Sequence, residues 1–100
     1  MKKKIYIAGK VTGLPQKEVV EKFEEAQLEI EKQGFYAVNP LEVVGDWNCD
    51  WQTAMKRCIT ALLKCDEAWF LPCWSNSKGA LLEHKIATEV GIETKYYSDI

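Results

Sequence analysis

One hundred residues, 47% hydrophobic and 28% charged, describe one ordinary globular domain spanning residues 1–100, with a core and no room for a second. A net charge of -2 gives no support for nucleic-acid binding, which needs a basic surface against the phosphates. No apolar run approaches membrane-spanning length, and the stretch after Lys2–Lys4 is too short for a signal core, so the expectation is a cytoplasmic chain with reduced thiols and no membrane contact.

Ile5-Tyr6-Ile7-Ala8 is a β-branched and aromatic run stopped by Gly9, which predicts the first strand. Gly9 to Pro15 then forms a glycine-bounded loop. Its Gly9-Lys10 lacks the upstream glycine of a Walker loop, since that position is Lys4, but backbone amides near Gly9 can still approach a ligand. The loop is also thin in the Ser and Thr of a flavin phosphate site, and no cofactor is expected. Pro15 suits a first helical position, and Val19, Phe23, Ala26 and Ile30 recur at helical spacing up to Gly34, opposite a solvated Glu and Lys face.

Phe35 to Val38 reads as a second strand, closed by Asn39-Pro40. From there to Cys49 no period is visible, which predicts the longest loop. Trp47 either covers a ligand there or packs on its own domain. Asp50 caps the next helix, which carries Trp51, Met55, Cys58 and Leu62 on one face.

Ala68 to Leu71, stopped by Pro72, is a short buried strand, and Ser75-Asn76-Ser77 is a helix-start cluster. The helix from about Lys78 to Gly91 places Ala80, Glu83, Ala87 and Val90 on one face. A Glu on a sheet-facing stripe of small residues lies at the rim, is paired, or is pushed up in pKa by burial; the plain alternative is a solvated helix residue. Strand, loop and helix N-terminus form the place where open parallel sheets bind ligands, so Glu83 beside Ser77 and Gly79 is the candidate site. Ile92 to Tyr97 reads as the last strand. The four cysteines form no Cys-x-x-Cys pair and His84 is the single histidine, so no metal is expected. Strands alternate with helices throughout, which predicts an α/β class, Rossmann-like domain with a doubly wound parallel sheet of about four strands.

Ile5-Tyr6-Ile7-Ala8-Gly9, Thr12-Gly13-Leu14-Pro15, Val38-Asn39-Pro40 and Leu71-Pro72-x-Trp74-x-x-Ser77-x-Gly79-Ala80-x-x-Glu83-x-x-x-Ala87 together resemble the nucleoside 2-deoxyribosyltransferase-like superfamily. The likeness spans nearly the whole chain and is nearest to that superfamily's small, often phage-associated branch. It implies a flavodoxin-like domain, commonly a homodimer or larger, that cleaves an N-glycosidic bond with a carboxylate nucleophile. On this resemblance Glu83 is the nucleophile and Tyr6 orients it. Ser77 falls where nucleotide N-glycosidases hold a serine that meets a 5′-phosphate and deoxyribosyltransferases hold an aspartate. A hydroxyl at a helix N-terminus accepts a phosphate that a carboxylate would repel, so a nucleoside 5′-monophosphate is favoured over a free nucleoside. Cys58 stands where active members carry an aspartate that serves the departing base. The chain departs from the related small proteins in reading Lys10 where they tend to have Pro, and Cys73-Trp74-Ser75 where they have Gly-Trp-Glu; Trp74, with Gly9, Gly79 and Cys58, joins Ser77 in the implied substrate-binding set. The implied chemistry is attack of ionised Glu83 on the anomeric carbon, resolved by water or by a second base.

Three functions stay open on the sequence. The first is an N-glycosidase or deoxyribosyltransferase whose partner is a small-molecule nucleoside or nucleotide. The second, which Cys58 favours, is a catalytically impaired nucleotide-binding or sensing module. The third is an assembly domain anchored by Trp47, Trp51 and Trp74.

Overall fold

A computed structural model describes residues 2–72 and 74–97; Met1, Cys73 and residues 98–100 lie outside it. At its centre runs β1 (Lys4–Ala8), whose Ile5 and Ile7 alternate with Tyr6 and Ala8, all four buried. A strand buried on both faces needs cover on both, which helical crossovers between parallel strands supply. β1 pairs in parallel with β2 (Tyr36–Val38) and with β3 (Glu67–Phe70), and β3 pairs in parallel with β4 (Glu93–Tyr96). The strand order is β2-β1-β3-β4.

The two faces have separate cores. On one, Val19, Phe23, Ala26 and Ile30 of α1 (Gln16–Lys32) meet Ile5, Ile7, Trp69 and Leu71. Burying a side chain such as Phe23 stabilises the fold by about 2 kcal/mol, so this seam alone fixes α1 to the sheet. On the other, Cys58 and Leu62 of α3 (Trp51–Leu62) and Ala87 of α4 (Lys78–Glu89) pack with Tyr6, Ala8, Ala68 and Phe70. Helices on both faces of a parallel sheet in this order make a doubly wound, flavodoxin-like α/β domain. No helix among the described residues is long and apolar enough to cross a membrane.

The segment expected to be a long loop begins instead with a short helix, α2 (Pro40–Val44). Asn39 is extended and its side chain accepts the Leu41 N–H at 3.0 Å, so it caps α2 rather than ending a strand into coil. Pro40 occupies the first helical turn, where a missing N–H costs nothing, and Gly45 closes α2 at φ 67°. A second difference lies on α4. Ala80, Glu83 and Ala87 are buried as the spacing predicts, but Val90 is exposed, because the helix ends at Glu89 and the chain turns away through Gly91.

From β1 the chain goes to β2 on one side and then crosses to β3 on the other. The winding direction reverses between β1 and β3, so their C-terminal ends border a crevice of the kind that holds ligands.

Candidate active site

Strand alternation aims Tyr6 at the α3 and α4 face, and the stripe of small residues on α4 brings Glu83 against it. The Tyr6 hydroxyl donates to Glu83 Oε2 in a buried hydrogen bond. Glu83 is 5% exposed, and no buried side-chain polar atom among the described residues lacks a partner, so its second oxygen, Oε1, opens on the cleft that Glu83 lines. No Lys or Arg is paired with it among the described residues. Burial without a cation disfavours the anion, the Tyr6 donor restores part of it, and the Glu83 carboxyl is pushed up to about 7. Burial, then the charge of Glu83, hold the Tyr6 hydroxyl well above its ordinary value, so it stays a donor.

Glu83 and Tyr6 lie in a cleft of about 590 Å³, a size common for small-ligand sites. Of the residues singled out from the sequence, Tyr6, Gly9, Cys58, Ser77, Gly79 and Glu83 all line it. Ser77 caps α4, accepting the Ala80 N–H on Oγ at 3.1 Å, which leaves its hydroxyl proton free to donate. Glycine at position 9 is a packing requirement: an added Cβ would lie 3.1 Å from Leu71 Cδ1 and 3.2 Å from Phe23 Cζ. Gly79 similarly lets α4 approach α3, with Met55 Sδ 3.0 Å from where a Cβ would stand. The Cys58 thiol lies beside Tyr6 in the apolar cluster, and burial pushes it up to about 11. A thiol so placed keeps its proton and is inert as an acid.

Trp74 does not join them. It stacks on His84 with ring centroids 4.3 Å apart and meets Phe70 edge-on, while the His84 ring hydrogen-bonds the Tyr96 hydroxyl at 2.8 Å. That half-buried aromatic group packs against the core between β3, β4 and α4. Trp47 and Trp51 do line the cleft, both exposed, so the three tryptophans do not form one anchoring surface. The sequence reading missed the wall that α2 supplies through Pro40, Leu41 and Val44, and missed Asp46 on the rim. The available signal was Asn39-Pro40, which reads equally well as N-cap and first helical residue.

Beyond Ser77 the cleft continues into a more open groove of about 770 Å³ that shares Thr12, Trp51, Ser77 and Gly79 with it. Lys10, Lys56 and Lys78 line this groove against one acidic residue, Asp50, whose carboxylate is engaged in capping α3 through Thr53. Lys78 Nζ also sits 4.3 Å from the Trp51 ring centroid. A chain with net charge -2 thus collects positive charge beside the cleft. No group of three His, Cys, Asp or Glu side chains among the described residues could hold a metal ion.

Residues 3–96 match the family described as Domain of unknown function (DUF4406). Neither the curated proteins nor the solved structures give a match.

Proposed function

This chain belongs to the DUF4406 family, and we propose that it cleaves or transfers at the N-glycosidic bond of a nucleoside 5′-monophosphate through Glu83 as nucleophile. The observation that carries the reading is the buried Tyr6–Glu83 hydrogen bond on the wall of the ligand-sized cleft. A carboxylate stripped of water and left without a cation is reactive, and one held by a phenol through Oε2 presents Oε1 in a fixed direction. Around a value of about 7, a large share of Glu83 is ionised at neutral pH. The Tyr6 hydroxyl keeps its proton and so holds the carboxylate in line through the reaction.

The phosphate end is supported by Ser77, whose free hydroxyl proton sits at the start of α4, and by Lys10 and Lys78 in the adjoining groove. With the phosphate held there, the sugar would lie along the cleft with its anomeric carbon towards Glu83. Attack forms a glycosyl-enzyme; water then makes the protein a hydrolase, and a second base makes it a transferase.

The deciding experiment incubates the protein with nucleosides and their 5′-monophosphates and follows free base by chromatography, with and without an acceptor base. Release that disappears in Glu83→Ala is the expected result. Release that survives Glu83→Ala removes Glu83 from the nucleophile role. No release, with thermal stabilisation by the same nucleotides, would support the second reading, a binding or sensing module, which the inert Cys58 thiol favours.

A further inference from the structure

A purine or pyrimidine leaves the sugar as a poor anionic leaving group unless a side chain protonates it. Among the described residues, the cleft-lining side chains with an acidic proton to give are Tyr6, Asp46, Cys49, Cys58 and Glu83. Tyr6 is committed to Glu83, and Glu83 is the attacking group. Cys58 is buried beside Tyr6, and Cys49 offers only a thiol, a weak donor. Asp46 stands on the exposed rim next to Trp47, where its carboxylate accepts the Asn48 N–H at 2.9 Å. Among the described residues, the interior of the cleft therefore has a nucleophile and no acid for the departing base.

Two further features bear on what base such a site suits. Glu83 is a buried carboxylate with no cationic partner among the described residues, so a positive charge arriving with the substrate would complete the pair. Trp47 and Trp51 give the cleft indole walls, and Trp51 already holds the Lys78 ammonium over its ring. Indole faces favour cations.

We infer that the cleft takes a nucleotide whose base is already cationic, a pyridinium N-glycoside, in preference to one carrying a neutral purine or pyrimidine. The inference rests on the N-glycosidic reading of the same site. With such a substrate no proton is needed at departure. The bond from the anomeric carbon to the ring nitrogen breaks, and its electron pair stays on nitrogen and cancels the positive charge. A Glu83 oxygen bonds to the anomeric carbon. Water then attacks that carbon, the carboxylate is released, and the water's proton passes to solvent, leaving a sugar phosphate and a neutral pyridine base.

The test compares nicotinamide mononucleotide with inosine 5′-monophosphate, each as the ribo- and the 2′-deoxyribonucleotide, following released base. A kcat/KM about a hundredfold higher for the pyridinium substrate is expected, the lower range of what a missing acid withholds from the neutral one. In Cys58→Asp the ratio should fall because cleavage of the neutral-base substrate rises. Equal rates, or a faster neutral-base substrate, overturn the inference and leave the glycosidic reading standing. Loss of that neutral-base rate in Asp46→Asn would then identify the acid. Release from neither substrate overturns the inference together with the reading beneath it.

Discussion

At Glu83 two effects compete, and burial wins over the Tyr6 hydrogen bond, which is why the carboxyl is raised to about 7. Since the nucleophile is the anion, kcat/KM should climb with pH along a limb centred near 7. Tyr6→Phe removes the donor that favours the anion, so the limb should move up by about one unit, with lower activity at neutral pH. A rate profile of both proteins between about pH 5 and pH 9 checks this, and an unmoved limb would assign the titration to another group. At this scale much was legible. One carboxylate on a stripe of small residues marks Glu83, whereas Tyr6 came only from the resemblance; in the structure the alternation of β1 turns it to the face away from Ile5 and Ile7. The role of Trp74 was not legible, because a tryptophan just past a strand can turn to either side of the next helix, and here it packs with His84 and Phe70 against the core, outside the cleft.

Helix α2 is only Pro40–Val44, yet it forms one wall of the cleft, and one side chain, Asn39, fixes its start. Asn39 caps it through Leu41 N–H and donates its amide to Gln27 Oε1 of α1 at 3.1 Å, tying the wall to the opposite layer. Asn39→Ala should cost about 1–2 kcal/mol in a urea titration and raise KM more than it lowers kcat, since the chemistry at Glu83 is untouched. A variant with unchanged stability would mean that α2 is held by Pro40 and its apolar contacts instead. The long elements α1, α3 and α4 were readable because a repeating apolar stripe over several turns has no alternative reading. Five residues are too few for such a stripe, so α2 was hidden, and only its cap could have shown it.

Among the described residues, the domain buries two carboxylates against one sheet and treats them in opposite ways. Glu67, the first residue of β3, faces burial too, but the Trp69 indole N–H, Lys3 at 3.0 Å and Lys95 at 3.5 Å hold it below the ordinary range. Its stabilisation is present at neutral pH and is lost only as pH falls through its lowered value. Glu83 has the reverse sign. Its folded value exceeds the ordinary 4.5, so its contribution is most favourable below 4.5 and declines as pH rises to about 7. The loss is on the order of 3 kcal/mol. Glu83→Gln should remove that decline, so its stability relative to the parent should improve between about pH 5 and about pH 8, measured by denaturant unfolding at each. An unchanged difference would place the Glu83 carboxyl in water. The strand order carries one more consequence, for folding. Tyr6 and Glu83 are 77 positions apart in the chain, and the central β1–β3 pairing joins residues from Ile5–Glu67 to Ala8–Phe70. Such distant partners meet late and slowly, after the intervening helices have closed the loop between them. The Leu71 amide, bonded to the Ala8 carbonyl at 2.8 Å, should therefore exchange its proton only when the entire molecule opens. The site would then vanish and reappear in one cooperative step with the domain, and no fragment of the chain would carry it.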